Sequence, residues 1–114
     1  MGFEKVFAQA KEQILKNGAD GVREHLACQF NLTGKISGRF YIEVKDGNLN
    51  VEPYEYNDRH ALFICSADTL SDLVSGKISL TGAMSSGRLR TEGSIEQALK
   101  LRKVLKANGP ETVE

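Results

Sequence analysis

The chain has 114 residues, with 15 basic and 15 acidic side chains, and 40% of its residues are hydrophobic. This length predicts one domain, which we place at residues 1–109 with a C-terminal tail at 110–114. The balanced charge gives no overall field that favours nucleic acid, and no apolar run approaches the length of a membrane span. The N-terminus lacks the apolar segment of a secretory signal, so we expect a cytoplasmic protein.

The first half of the chain predicts one helix followed by four strands. Apolar residues recur every three or four positions between Phe3 and Lys16, as in an amphipathic helix. Asp46-Gly47 predicts a tight hairpin between the second and third strands. The fourth strand is apolar almost throughout, so it should be covered on both faces or lie centrally. The predicted strands cover residues 26–33, 39–45, 49–51 and 61–67.

The second strand sets the register of the sheet, because its apolar and polar residues alternate strictly. Successive side chains of a strand point to opposite faces. We therefore expect one face of this strand to be dry and the other to be wet. The dry face should carry Phe40, Ile42 and Val44, and the wet face Tyr41 and Glu43.

Helix signals follow the fourth strand. Thr69 with Asp72 three residues later predicts a helix start, since each side-chain oxygen can accept an otherwise unpaired backbone N–H. Gly76 predicts the end of that helix in a left-handed conformation. Ser79 and Gly87 bracket a second short helix.

A fifth strand at residues 88–92 and a last helix complete the pattern. Ser94 with Gln97 forms a capping box, and the helix should run from there to about Lys106. These elements predict an α+β fold, in which a mixed five-stranded sheet is covered on one face by amphipathic helices.

Two cysteines and two histidines are the main candidates for catalytic or metal-binding residues. Cys28 and Cys65 alternate with apolar neighbours in predicted strands, which favours small buried side chains over a disulfide. His25 and His60 stand at strand entrances, so zinc ligation or a Cys–His nucleophile has less support than simple packing. We therefore predict a protein that is not an enzyme and uses no metal or cofactor.

Four segments together resemble the sterol carrier protein-2 family, the non-specific lipid-transfer proteins. Leu73-Val74-Ser75-Gly76-Lys77 is similar to the end of a helix in the family, and residues 83–90 are similar to its next helix and strand. Residues 38–47 match its strand and hairpin, and residues 98–101 match its last helix.

The family usually has proline where Leu80 stands and an aromatic where Met84 stands. Met84 next to Gly82 should leave more room there.

The resemblance implies the strand order 3-2-1-4-5 and an apolar tunnel between the sheet and the helices. It implies non-catalytic binding, and transfer, of a fatty acid, an acyl chain or a sterol-like lipid. Periodicity alone favours ordinary core packing for the apolar helix residues. On the resemblance, the cavity should be bounded by residues 69–86 and the last helix. The expected lipid-binding residues are Leu70, Leu73, Leu80, Met84, Leu89, Leu99, Arg102 and Leu105.

Arg102 falls inside the apolar arc of the last helix. A guanidinium stays charged and cannot be buried without a partner. Two interpretations remain open. Arg102 either pairs with an acidic lipid headgroup at the pocket mouth or forms a salt bridge with Glu96 or another surface acid.

An alternative function is a protein-interaction accessory module of lipophilic metabolism, for example quinone synthesis, with a vestigial pocket. Basic residues concentrate near the C-terminal end of the chain, where they predict transient contact with an anionic membrane or an acidic partner protein. An ordinary solvated face explains them as well. The basic residues are Arg88, Arg90, Lys100, Lys103 and Lys106.

Overall fold

The computed structural model describes residues 2–18, 24–54 and 59–105, without the side chains of Arg102 and Lys103. The predicted end of the last helix at about Lys106 and the tail at 110–114 lie outside this part of the chain. The elements, in order, are α1 (Phe3–Asn17), β1 (Leu26–Thr33), β2 (Gly38–Lys45), β3 (Asn48–Glu52), β4 (Ala61–Ser66), α2 (Ala67–Ser75), α3 (Leu80–Ser85), β5 (Leu89–Gly93), α4 (Ile95–Lys100) and α5 (Arg102–Leu105).

The five strands form one mixed sheet in the order β3-β2-β1-β4-β5, as predicted. β1 runs parallel to β4, and the other three pairings are antiparallel. β4 therefore lies inside the sheet between β1 and β5, which explains its nearly continuous apolar sequence.

The register of β2 is confirmed. Phe40, Ile42 and Val44 are buried, whereas Tyr41 and Glu43 on the opposite face are only partly buried. The neighbouring strand places Phe30 opposite Phe40 on the same dry face. Buried residues of α1, α2, α3, α4 and α5 belong to the same hydrophobic cluster as these dry-face side chains.

A row of aromatic rings crosses the dry face. Phe63 on β4 stacks on Phe30 with ring centroids 4.9 Å apart, and Phe30 stacks on Phe40 at 5.2 Å. Phe7 of α1 continues the row from Phe40 at 5.5 Å, and Phe3 follows at 5.9 Å. A Cβ on Gly38 would come within 2.3 Å of the Phe3 ring, so that ring rests directly on the strand backbone. This row anchors the first turn of α1 to the sheet.

The other end of α1 is fixed by a buried polar contact. The side chain of Asn17 donates to the backbone carbonyl of Leu105 over 2.8 Å, and Gln13 donates to the Asn17 side-chain oxygen over 3.0 Å. Asn17 thereby links the C-terminal end of α1 directly to the backbone of α5. Helix α1 is held at both ends, against β2 and against α5.

Two predicted boundaries are wrong. α2 begins at Ala67, directly after β4, because Ser66 is the N-cap and its side chain accepts from the Thr69 N–H. Thr69 is thus a residue of the first turn, and Asp72 is not a cap: its carboxylate binds Arg88 at 2.8 Å. The last helix is interrupted at Leu101, and Ile95 in its first turn is 50% exposed. The turn at Leu101 lets α4 pack against the sheet while α5 packs against α1 and α2.

The remaining helix signals are confirmed. Gly76 ends α2 with φ of 82°, a left-handed conformation that glycine adopts without steric cost. Ser79 caps α3 and Ser94 caps α4, each accepting from the N–H three residues later. Gly82 is the residue that donates to Ser79, and a Cβ there would approach the Ser79 hydroxyl to 2.9 Å.

Candidate functional site

A groove of about 400 Å³ opens between α1 and α2. Val6 and Ala10 of α1 form one wall, and Leu70 and Val74 of α2 form the other. In each pair the residues are four apart, so both side chains lie on the same face of their helix. Ile36, from the loop between β1 and β2, also lines the groove. The walls facing each other are therefore apolar.

Small residues leave this space open. Ala10 and Ala67 both line the groove, and Ala10 is nearly fully buried although its side chain is only a methyl group. A larger residue at either position would project into the volume between the helices. The anchors of α1 on β2 and α5 hold that helix in place beside the groove.

Polar side chains surround the apolar walls. The amide group of Gln13 uses its N–H to bind Asn17, which leaves its oxygen as an acceptor. Asp68 stands in the first turn of α2, where a negative charge interacts favourably with the helix dipole. The polar lining residues are Gln9, Gln13, Asp68, Ser71 and Ser75.

The structure distributes the predicted lipid-binding residues over several places. Leu70 lines the groove and also belongs to the buried core. Leu73, Leu80, Leu89 and Leu105 are core residues with at most 3% exposure. Met84 packs against the core, Leu99 is partly buried, and the side chain of Arg102 lies outside the described part.

Sequence reasoning missed the contribution of α1. Its apolar stripe was recognised, but a stripe alone does not say which neighbour it faces. The available signal was Ala10, a small residue at a stripe position otherwise held by larger side chains. Of the predicted boundary at residues 69–86, the part that lines this groove belongs to α2. Within the described residues, Leu80 and Ala83 of α3 are buried in the core.

Both cysteines are buried, as predicted, and both lie on the dry face of the sheet. Burial raises the pKa of each thiol from its ordinary value to about 12, although the Arg88 charge acts in the opposite direction on Cys65. Both therefore remain protonated thiols at neutral pH, which is the unreactive form.

The two histidines are engaged near the start of the sheet. His60 Nδ1 accepts from the Ala27 N–H over 3.2 Å, and His25 Nε2 contacts Glu43 at 2.8 Å. Across the described ranges, no cluster of three or more metal-ligating side chains occurs.

The basic residues of the predicted docking patch carry acidic neighbours. Arg88 pairs with Asp72 at 2.8 Å, Arg90 with Glu92 at 3.4 Å, and Lys100 with Glu24 at 2.9 Å. Each pair is partly exposed and contributes little to stability. The carboxylates of these pairs offset part of the positive charge of the predicted docking patch.

None of the described helices is both long and apolar enough to cross a membrane.

Known proteins share this fold and part of this sequence. The chain is 33% identical over 78 residues to hydroxysteroid dehydrogenase-like protein 2 of Mus musculus, an alignment covering 68% of this chain and 16% of that protein. The chain therefore spans about a sixth of the length of this curated relative. Among solved structures, it resembles the UbiJ-SCP2 ubiquinone synthesis protein with a TM-score of 0.70 and 15% identity, covering 91% of this chain and 96% of that one.

A second solved structure is sterol carrier protein-2 of Aedes aegypti in complex with palmitate, a C16 fatty acid. It matches with a TM-score of 0.64 and 14% identity over 90% of this chain and 93% of that one. Because the sequence identities are this low, these two structural similarities establish the shared fold alone. The family model described as the SCP-2 sterol transfer family matches residues 3–106, nearly the whole chain. This chain therefore belongs to the SCP-2 sterol transfer family.

Proposed function

We propose that this protein binds, without catalysis, an apolar lipid chain in the groove between α1 and α2, and that it transfers such lipids. The observation that carries the proposal is the groove itself, an opening of about 400 Å³ between two apolar walls. This volume lies within the range of about 300–1,000 Å³ that is usual for small-ligand sites.

The driving force would be removal of apolar surface from water. Each methylene that moves into a dry site contributes about 0.8 kcal/mol, so a chain of several methylenes binds without specific polar contacts. The family match and the palmitate complex of the Aedes aegypti protein support a lipid as the ligand. The buried, protonated thiols support binding in preference to nucleophilic chemistry.

Filling the groove should abolish most lipid binding. Ala10→Leu places an isobutyl group between α1 and α2 while keeping high helix propensity, so we expect at least a tenfold loss of affinity, or about 1.4 kcal/mol. A fluorescent fatty-acid analogue titrated into delipidated protein measures this. Ala8→Leu on the exposed side of the same helix is the matched control and should bind as the unaltered protein does.

Met84→Ala extends the same test to the predicted lipid-binding residues that do not line the groove. Met84 packs against the core and does not line the groove. If Met84→Ala changes the lipid affinity strongly and Ala10→Leu does not, the ligand binds between α3 and the sheet and not in the groove. Unaltered binding in both variants, with normal thermal stability, would refute the groove and the residues predicted with Met84.

The second candidate function is an accessory module that docks onto an enzyme of lipophilic metabolism. The similarity in fold to a ubiquinone synthesis protein favours this alternative. Large apolar side chains exposed among the described residues, namely Leu15, Tyr54 and Ile95, favour it as well. Native mass spectrometry of freshly purified protein separates the two functions. A lipid that co-purifies supports binding, and a clean mass without ligand favours the module.

Contact with an anionic membrane remains a hypothesis, and the ion pairs of Arg88, Arg90 and Lys100 reduce its expected strength. An exposed basic residue near an anionic surface contributes about 1 kcal/mol when its charge is free. Co-sedimentation with vesicles, with and without anionic lipid at low and high salt, measures the effect. We expect at most a weak dependence on both. Binding that responds to neither would exclude an electrostatic membrane contact.

A further inference from the structure

The charge around the groove is one-sided. Asp68 is the charged residue among the described residues that line it, and the other polar groups there are amides and hydroxyls. Asp68 belongs to the first turn of α2, the helix whose Leu70 and Val74 form one apolar wall. A headgroup at the rim of the groove would therefore meet a carboxylate.

A lipid carboxylate is poorly matched to this rim. Moving it from water towards the groove removes hydration, and no lysine or arginine among the described lining residues replaces it. The charge of Asp68 adds repulsion, since like charges at a partly hydrated surface oppose each other by an amount that depends on local water.

A neutral donor is well matched to the same groups. The Asp68 carboxylate accepts hydrogen bonds only, and the free oxygen of Gln13 is also an acceptor. An O–H or N–H donor that binds a carboxylate makes a charge-assisted hydrogen bond, the stronger kind. Ser75 donates its hydroxyl hydrogen to the Asp72 carbonyl over 3.3 Å, so it can only accept from a ligand, whereas the Ser71 hydroxyl can accept or donate.

We infer that the groove selects uncharged lipids with a hydroxyl or primary amide headgroup over fatty-acid anions, and that Asp68 determines this selectivity. The inference rests on the proposed lipid binding and adds the chemical class of the headgroup. Arg102 paired with a lipid carboxylate is the competing arrangement, and it predicts the opposite preference.

Nearby arginines do not remove this selectivity. Asp68 also borders a more open depression that includes Arg88 and Arg90, at the ends of β1 and β4. These two side chains bind Asp72 and Glu92, so their charges are already opposed by carboxylates. An anionic headgroup would have to compete with those pairs.

The test compares two ligands of equal chain length, dodecanoate and 1-dodecanol, at neutral pH and below their aggregation limits. Isothermal titration calorimetry gives the ratio of their affinities in the unaltered protein and in Asp68→Asn. Asparagine removes the charge and keeps the size, so we expect the ratio to shift towards dodecanoate by about fivefold. The change in the ratio is the readout, because the two ligands differ in hydrophobicity before any contact with Asp68.

Asp46→Asn is the matched control. It makes the same chemical change at the hairpin between β2 and β3, where φ is 54°, a conformation that asparagine tolerates. Asp46 does not line the groove, and the eight residues of β2 separate it from Ile36, which does, by about 26 Å. The ratio should not change in this variant.

The outcomes distinguish the inference from the proposed function. If neither ligand binds the unaltered protein, lipid binding fails and the selectivity falls with it. If both bind and Asp68→Asn leaves the ratio as it is in Asp46→Asn, the selectivity alone is overturned. It is also overturned if dodecanoate binds more tightly than 1-dodecanol and Arg102→Gln weakens dodecanoate only.

Discussion

Replacing Phe30 with alanine should lower the free energy of unfolding by about 3–5 kcal/mol. Phe30 is fully buried at the centre of the aromatic row and stacks on Phe40 and Phe63 at the same time. Its loss removes apolar burial, two ring contacts and the filling of the space between β2 and β4. A domain of this size has about 5–15 kcal/mol of stability in total, so the variant should be close to unfolding at room temperature.

Urea denaturation followed by circular dichroism measures this change. Phe3→Ala is the control in the same aromatic row, because Phe3 is partly buried and stands at the end of the row on Gly38. We expect a clearly smaller loss for Phe3→Ala. Equal losses in the two variants would show that the row does not act as the centre of the core.

Gly93→Ala should destabilise the protein by about 2–5 kcal/mol, through two effects that add. Gly93 has φ of 90°, which an alanine adopts only with strain. An alanine Cβ would also lie 2.7 Å from the backbone oxygen of His60. That oxygen cannot move away freely, because it accepts the Ser94 N–H while the His60 N–H binds Ala27.

Gly87→Ala separates the two effects. Gly87 has φ of 82°, but a Cβ there meets no atom within 4 Å. This variant should therefore show the conformational strain alone, about 1–2 kcal/mol. Thermal unfolding of both variants gives the comparison. If Gly87→Ala is as damaging as Gly93→Ala, the contact with His60 has no energetic role.

The stability of α1 matters for the proposed function as well. One end of the helix rests on β2 through Phe3, and the other is tied to α5 through Asn17. The groove lies along the side of α1 that faces α2. Its width is therefore set by contacts with two distant parts of the chain. A ligand that needs more than the present volume would have to loosen one of these attachments.

Local patterns determined much of this protein. The alternation of Phe40, Ile42 and Val44 set the register of β2, and Asp46-Gly47 set its hairpin. Gly76, Ser79 and Ser94 marked helix ends correctly. Each of these features depends on a backbone conformation or a hydrogen bond within a few residues, so the local residue types are enough to predict it. The strand order came from the family resemblance, since alternation alone does not choose neighbours.

Only the tertiary structure decided the rest. The helix after β4 begins at Ala67, because the strand passes into it with no intervening loop. Ala67 continues the apolar pattern of the strand, so the sequence alone did not mark the start of the helix. The final helix divides at Leu101 because its two halves have different packing partners. The groove joins Ala10 with Leu70, residues far apart in the chain, and the long-range contact between Asn17 and Leu105 helps to hold its wall. Which amphipathic faces meet depends on how all the helices share one sheet face, and no local stretch of sequence contains that information.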